Sequence, residues 1–457
     1  MNRAELFAFV KSDSIRKFVP ASYVKTQEDI KMFNGVGYSI GFTYDELQTL
    51  LPEIVTKNLY FNNGFDKAFY YDKEKLVLFP IGLYGVKPLG ELGEKIIQSA
   101  KTLEESILQG DYSLSLMSLN DKMRMELLNL IIEKDEIKDG YTLFKNFYQT
   151  SDFGCSELTL DSIRKLRDMK TEEQQNETAI FLNELPQKVT VYRGEGDRSS
   201  KWQNTVSWTT DINVANFFAS RIVGRNAKIY IAEVDKNNII EYFNYEKECI
   251  ILPESIHIID EIHIKGLDYI EDMLPKVMEY YHDYRDLITD YAEFNMEGDH
   301  GEIHSARVLL NCLLIAKEMK LTSHETDILA IASVFHDTMR DNDGDDIRHG
   351  EASAKYYAQF AKEHPALVNY EKVIEQIIKY HCLPDEIGRP EINKRYLKLF
   401  DIFKDADALD RVRFGIRDLD INQLRTPDAK TMTMVAEIIR QEIRLPEQTM
   451  EQGMEIM

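Results

Sequence analysis

The period of the sequence changes twice, and that change limits the folds open to the chain. Between Lys188 and His263 come the segments KVTVYRG, TVSWTT, KIYIAEV, IIEYF, ECIILP and HIIDEIHIKG. They are rich in β-branched and aromatic residues and separated by polar turns, the pattern of strands. From about residue 90 to 185, and again after Pro275 almost to the end, apolar residues recur at helical spacing instead. The expectation is a multidomain α+β protein. Its parts would be a small N-terminal α/β region of unknown role (1–90), a mixed helix-then-strand domain (91–268), an all-α helical bundle (275–445) and a tail (446–457). A chain of 457 residues exceeds one ordinary core, so several domains suit its length.

Composition narrows the partners. With 55 basic and 78 acidic residues the formal charge is −23, which argues against generic binding to nucleic acid or to an anionic membrane. Four scattered cysteines, with no CxxC pair, give neither a disulfide framework nor a thiolate zinc site. No window approaches 18 continuous apolar residues, and the first residues lack a signal-peptide h-region. A cytoplasmic protein without a membrane span is expected, with delivery as an effector by a signal-independent system as the variant reading.

The helical block carries His304, the adjacent His336 and Asp337, His349, His381 and Asp405, each near the end or on one face of an apolar-periodic segment. Helical bundles use this arrangement to aim ligands at one centre. An adjacent His and Asp serve two metals if the carboxylate bridges, and a pair of cations suits phosphoester hydrolysis. The segments HSARV, FHDTMRD, RHGEASA, YHCL and KDADALDR resemble the HD-domain metal-dependent phosphohydrolases over residues 298–415. The resemblance implies His304, His336, Asp337 and Asp405 on one metal, and Asp337, His349 and His381 on the other. Two divalent ions are therefore expected, with Mn, Fe, Co, Ni and Zn all open. Arg307 and Arg340 are candidate phosphate contacts, because guanidinium matches a pair of phosphate oxygens. His300, four residues before His304, competes for the same helical face. The acidic loop Asp341, Asp343, Asp345 and Asp346 reads as a solvated turn.

In the strand block, KVTVY ends at Arg193-Gly194, a second strand holds Ser207-Trp208-Thr209-Thr210, and Glu246-Lys247-Glu248 precedes CIILP. Residues two apart on a strand share a face, so Glu246 and Glu248 would enter one cleft together. These residues look like the arginine-serine-glutamate class of mono-ADP-ribosyltransferases, whose third motif is ExE and whose fold is an α+β domain with a split β-sandwich. The resemblance implies NAD as substrate, with Arg193 on its phosphate or ribose. Glu248 would act on the nicotinamide ribose and Glu246 would orient or deprotonate the acceptor, a macromolecule and foremost a protein arginine. The middle motif departs from Ser-Thr-Ser, so Ser207, Thr209 and Thr210 all remain candidates for its hydroxyl.

Together the two resemblances imply a bifunctional enzyme. ADP-ribosyl transfer would be coupled to hydrolysis of a nucleotide or of the ADP-ribose pyrophosphate by the binuclear centre. An ADP-ribosylating toxin or effector whose HD block is a nucleotide-sensing regulator, and a non-catalytic binding scaffold, are the alternatives.

Overall fold

A computed structural model describes residues 18–33, 41–62, 68–83, 89–134, 137, 139–151, 157–295, 300–342, 344 and 346–443. Asp343, Asp345 and the tail 446–457, singled out in the sequence, lie outside them, as do the turn residues Asn63, Gly64 and Gly85 and one of the four cysteines, Cys155. The chain divides into two compact units, 1–184 and 185–457. Among the described residues no helix is long and apolar enough to cross a membrane.

The first unit holds an antiparallel sheet of β1 (Val19–Pro20), β2 (Leu59–Phe61), β3 (Ala68–Asp72) and β4 (Val77–Ile81) in sequence order. Its aromatic strands read in the sequence as short β runs, and Phe61, Tyr70 and Phe79 are core. The helix Leu89–Leu108 buries Ile96, Ala100 and Leu103 in that same core, one face at i, i+4 and i+7. The boundary expected at 90/91 therefore falls inside this helix. The helices up to residue 184 belong to the first unit, apart from the strand block.

In the second unit β5 (Lys188–Glu195), β6 (Ser207–Thr209), β7 (Ala227–Asp235), β8 (Ile239–Phe243), β9 (Glu248–Ile251) and β10 (His257–Ile264) form one antiparallel sheet, in the order β10-β7-β5-β6-β9-β8. Their hydrogen-bond order links all six strands instead of dividing them into two separate sheets. The halves β10-β7-β5 and β6-β9-β8 are hydrogen-bonded into one sheet, although β5 and β6 meet at a single registered pair, Tyr192 with Thr209. The join is narrow because β6 has only three residues. Helix α1 (Ile212–Ser220) crosses β5 so closely that a Cβ on Gly194 would stand 1.9 Å from the carbonyl oxygen of Ala215. Only glycine fits there.

The bundle follows directly: α2 (Leu267–Asp290), α3 (Glu302–Glu318), α4 (Ser323–Phe335), α5 (His349–Glu363), α6 (Lys372–Tyr380), α7 (Leu397–Leu409) and α8 (Thr433–Glu442). The stretch Gly266 to Pro275, expected as a boundary, is the start of α2, and Pro275 lies inside that helix. Sheet and bundle share one core. Ala215, Ala219, Ala227, Ile229 and Ile264 pack in the same cluster as Met273, Val277, Leu309 and Leu313. Helix α3 is nearly all buried, with Ala306 and Val308 to Ala316 in the interior, as suits a central helix hydrophobic all round.

Candidate metal centre and strand-block cleft

Each histidine of the helical block is placed by a helix end. A capping box of Thr322 and Glu325 starts α4, and the helix runs out at His336, its C-cap residue. His381 stands at the same place on α6. Both rings turn back on their own helix: His336 Nδ1 lies 3.0 Å from Ser333 O and His381 Nδ1 2.7 Å from Ile378 O. His349 opens α5 with Nδ1 on Asp346 O, and His304, in the first turn of α3, has Nδ1 2.7 Å from Asp410 Oδ2. Every Nδ1 faces an oxygen acceptor, so in the neutral tautomer with the proton on Nδ1 it is the four Nε2 lone pairs that can converge on a cation.

They converge in two pairs. His304 and His336 bring their Nε2 atoms to 3.1 Å, and so do His349 and His381. Two acceptor nitrogens repel at that distance unless a cation or a proton lies between them. Two imidazoles on one tetrahedral ion at 2.0–2.1 Å stand about 3.3 Å apart, so both pairs have the span of a ligand pair. Asp337 lies between them. Its Oδ1 is 3.1 Å from His349 Nε2 and 3.4 Å from His381 Nε2, and its Oδ2 is 3.6 and 3.8 Å from those of His304 and His336. Oδ1 is buried and, among the described residues, receives no hydrogen bond of good geometry. The donor set fits two divalent cations bridged by one carboxylate.

The electrostatics agree with the geometry. Burial alone would raise Asp337, but the surrounding imidazoles hold it well below the usual carboxylate range. Burial drives His336 down to about 4. Burial also pushes His349 down, but its ion pair with Asp337 outweighs this and raises it to about 10. A ligand imidazole must be neutral, so metal binding would expel that proton.

The carboxylate of α7 facing this centre is Asp407, not the Asp405 expected from the sequence. Asp407 Oδ1 is 3.3 Å from His304 Nε2. Burial raises Asp407, but His304, His336 and His381 reverse this and hold it low. Asp405 faces away. Its Oδ1 accepts from Arg425 N at 2.8 Å and Arg425 Nη1 at 3.3 Å, and its Oδ2 from Thr426 N at 2.7 Å and Thr426 Oγ1 at 2.8 Å. At 3.6 residues per turn, positions two apart point about 200° from each other, so only one of the two can reach the histidines. Asp407 and Asp410, three apart, share that face. This signal was present in KDADALD.

The expected phosphate contacts are also committed elsewhere. Arg307 grips Asp410 through Nε at 2.6 Å and Nη2 at 3.1 Å, with Nη1 3.3 Å from Ile443 O, so it orients the carboxylate that orients His304. Arg340 donates to Asn342 O and Gly344 O, bracing the loop before His349. Arg413 was missed in the sequence. Its side chain is 7% exposed, Nη2 donates to His300 Nε2 at 2.7 Å, and Nε has no partner among the described residues. His300 is thus turned to Arg413. Cys382, beside His381, joins it and His349 in a group whose ligand atoms all lie within 4.8 Å of one another.

In the sheet, Arg193, Ser207 and Glu248 come together. Arg193 donates through Nη1 to Ser207 O at 2.9 Å and through Nη2 to Ser200 O at 2.8 Å. The Ser207 hydroxyl donates to Glu248. Thr209 is buried, its hydroxyl spent on Glu246 O at 2.8 Å, and Thr210 is tied through its backbone to Lys247 O. Of the three middle-motif candidates, Ser207 is therefore the hydroxyl against the glutamate. Glu246 does not share a strand face with Glu248, because β9 begins at Glu248 and Lys247 has φ 47°. The period of two fails in that turn. Glu246 instead accepts from Arg417 Nη2 at 2.8 Å, and the Arg417 guanidinium lies 4.2 Å over the Phe217 ring.

No curated protein and no solved structure matches the chain. Residues 301–411, which carry all four histidines, Asp337 and Asp407, match the family described as HD domain, and the helical block accordingly contains an HD domain.

Proposed function

We propose that the helical block is a metal-dependent phosphohydrolase acting on a phosphoester or pyrophosphate of a nucleotide. The observation that carries this is Asp337, whose two oxygens address two imidazole pairs, each with Nε2 atoms 3.1 Å apart. His304, His336, Asp407 and Asp337 Oδ2 would hold one ion, and His349, His381 and Asp337 Oδ1 the other. The ions supply Lewis acidity toward a phosphoryl oxygen and a water of lowered pKa. The protein's part is orientation and charge. Asp410 fixes the His304 tautomer, Arg307 fixes Asp410, and Arg413, 3.4 Å from Asp410, adds a buried positive charge beside the centre. Asp407, with 30% of its side chain exposed, marks the side open to solvent.

A second activity, NAD-dependent mono-ADP-ribosylation of a macromolecular acceptor, is our reading of the strand block. It is supported by the convergence of Arg193, Ser207 and Glu248, in which Arg193, bonded to Ser207 O and Ser200 O, braces the strand that presents the hydroxyl-braced carboxylate. The acceptor we favour is a protein arginine, since Glu246 already receives a guanidinium. If the two reactions are sequential, the HD centre trims the pyrophosphate of the adduct.

One experiment addresses both. Isotope-labelled NAD and a protein extract are given to the wild type, Glu248→Ala and Asp337→Ala, with bound metals measured for each. Wild type should carry close to two ions and label protein, Glu248→Ala should leave protein unlabelled, and Asp337→Ala should lose metal and accumulate intact ADP-ribose adducts. Wild type without transition metal sinks the hydrolase reading. Labelling unchanged in Glu248→Ala sinks the transferase reading, and equal adduct mass in Asp337→Ala and wild type sinks sequential action alone.

A further inference from the structure

The two halves of the centre differ in one atom type. Beside His349 and His381 stands Cys382, and the ligand atoms of the three lie within 4.8 Å of one another; beside His304 and His336 the further donors are carboxylates. The remaining described cysteines, Cys249 and Cys312, are buried and belong to neither group, and burial pushes both thiols up to about 12. Cys382 is only partly buried.

Space has been left for its sulfur. Gly350 follows His349 at the start of α5, and a Cβ there would meet Cys382 Sγ at 2.9 Å and Lys379 O at 2.8 Å. Any larger residue would drive the thiol away from the histidine that precedes it. Sγ lies 3.6 Å from Ile347 O and interacts with the His349 side chain and the Gly350 backbone. Ligands of one tetrahedral zinc, sulfur at about 2.3 Å and nitrogen at about 2.0–2.1 Å, stand about 3.5 Å apart. From within 4.8 Å, Sγ reaches that span by moving little more than about 1 Å, which rotation about the Cα–Cβ bond supplies.

We propose that Cys382 is a thiolate ligand of the second metal, completing a set of two imidazoles, one carboxylate oxygen of Asp337 and one sulfur. This rests on the binuclear reading above and adds to it the class of cation. A sulfur donor selects a thiophilic ion such as Zn²⁺ for this half, whereas the other half, with two imidazoles and two carboxylates, is open to harder ions. On binding, the thiol gives its proton to solvent and one metal–sulfur bond forms; nothing is oxidised or reduced.

The test is optical. Full-length protein is stripped with a chelator and titrated with Co²⁺, wild type beside Cys382→Ser and Cys382→Ala. Wild type should bind two ions and show a near-ultraviolet thiolate-to-cobalt charge-transfer band together with visible ligand-field bands. The Cys382 variants should lose the charge-transfer band, keep the ligand-field bands of the first ion, and bind the second at least about tenfold more weakly. Two bound cobalt ions without a charge-transfer band in wild type overturn the proposal and leave the binuclear reading intact, with no variant needed. A band that persists in both variants also overturns it, by assigning the sulfur to another cysteine. Wild type that takes up no cobalt removes the binuclear reading itself.

Discussion

Exchanging Asp405 and Asp407 for asparagine, one at a time, separates a fold-holding carboxylate from a metal-facing one two residues away. Asp405 is fully buried, with Oδ1 taken by the backbone and Nη1 of Arg425 and Oδ2 by the backbone and hydroxyl of Thr426. Asparagine replaces one acceptor oxygen with a donor. Whichever way the amide turns, two donors lose their acceptor, one of them a backbone N–H. At about 1.5 kcal/mol for each bond to a charged group, Asp405→Asn should cost roughly 3 kcal/mol. A unit of this size loses about 2 °C per kcal/mol, so its melting temperature in excess chelator should fall by about 6 °C. Asp407 faces the imidazoles, and 30% of its side chain is exposed, so Asp407→Asn should shift the same melt much less. Metal behaves in the opposite way. Asp405→Asn should retain the wild-type stoichiometry, while Asp407→Asn should weaken one ion by at least about tenfold. Thermal melts in chelator and metal analysis after dialysis read both quantities. Metal lost from Asp405→Asn and retained by Asp407→Asn would refute the assignment of faces on α7.

Two further outcomes follow from the buried charges. Asp410→Asn removes the partner of both Arg307 and His304; leaving that arginine buried and unpaired should cost about 3–5 kcal/mol, and the loosened imidazole should weaken metal binding by about 10- to 100-fold, read by melts and chelator competition. Burial pushes Asp385 up, but hydrogen bonds from Arg425 and Lys404 outweigh it and hold the carboxyl at about 2. A depressed folded pKa stabilises above the unfolded value near 3.8 and the benefit is lost as pH falls through about 2, a term on the order of 2 kcal/mol. Asp385→Asn should therefore flatten the acid limb of the stability curve over that window, and an unchanged slope would rule the linkage out.

Most element types were legible because their signals are local. KVTVYRG, KIYIAEV, ECII and HIIDEIHI became β5, β7, β9 and β10, and the helical spacing read after Pro275 became α3 to α8. Histidine convergence was legible too, since His336 and His381 sit where apolar periodicity stops. What the pattern did not reveal depends on partners distant in sequence. The outward face of Asp405 is set by Arg425 and Thr426, Arg307 is drawn from phosphate duty by Asp410, and the Glu246 side chain is held by Arg417. The boundaries expected at 90 and 268 each coincide with a helix start, and a helix start looks like a linker until its buried face is known.

The common core of sheet and bundle means that the stretch matching the HD family, 301–411, leaves part of its own interior outside its limits. Cut out at those limits, it would lose the Arg425 and Thr426 amides beneath Asp405, the Ile443 carbonyl on Arg307, and Met432, Met434 and Val435 from the interior. It would also be stripped of the wall that Ile229 and Ile264 provide. The strand block is thus no detachable passenger. To exchange the sheet would mean repacking the interior of the bundle against a new wall.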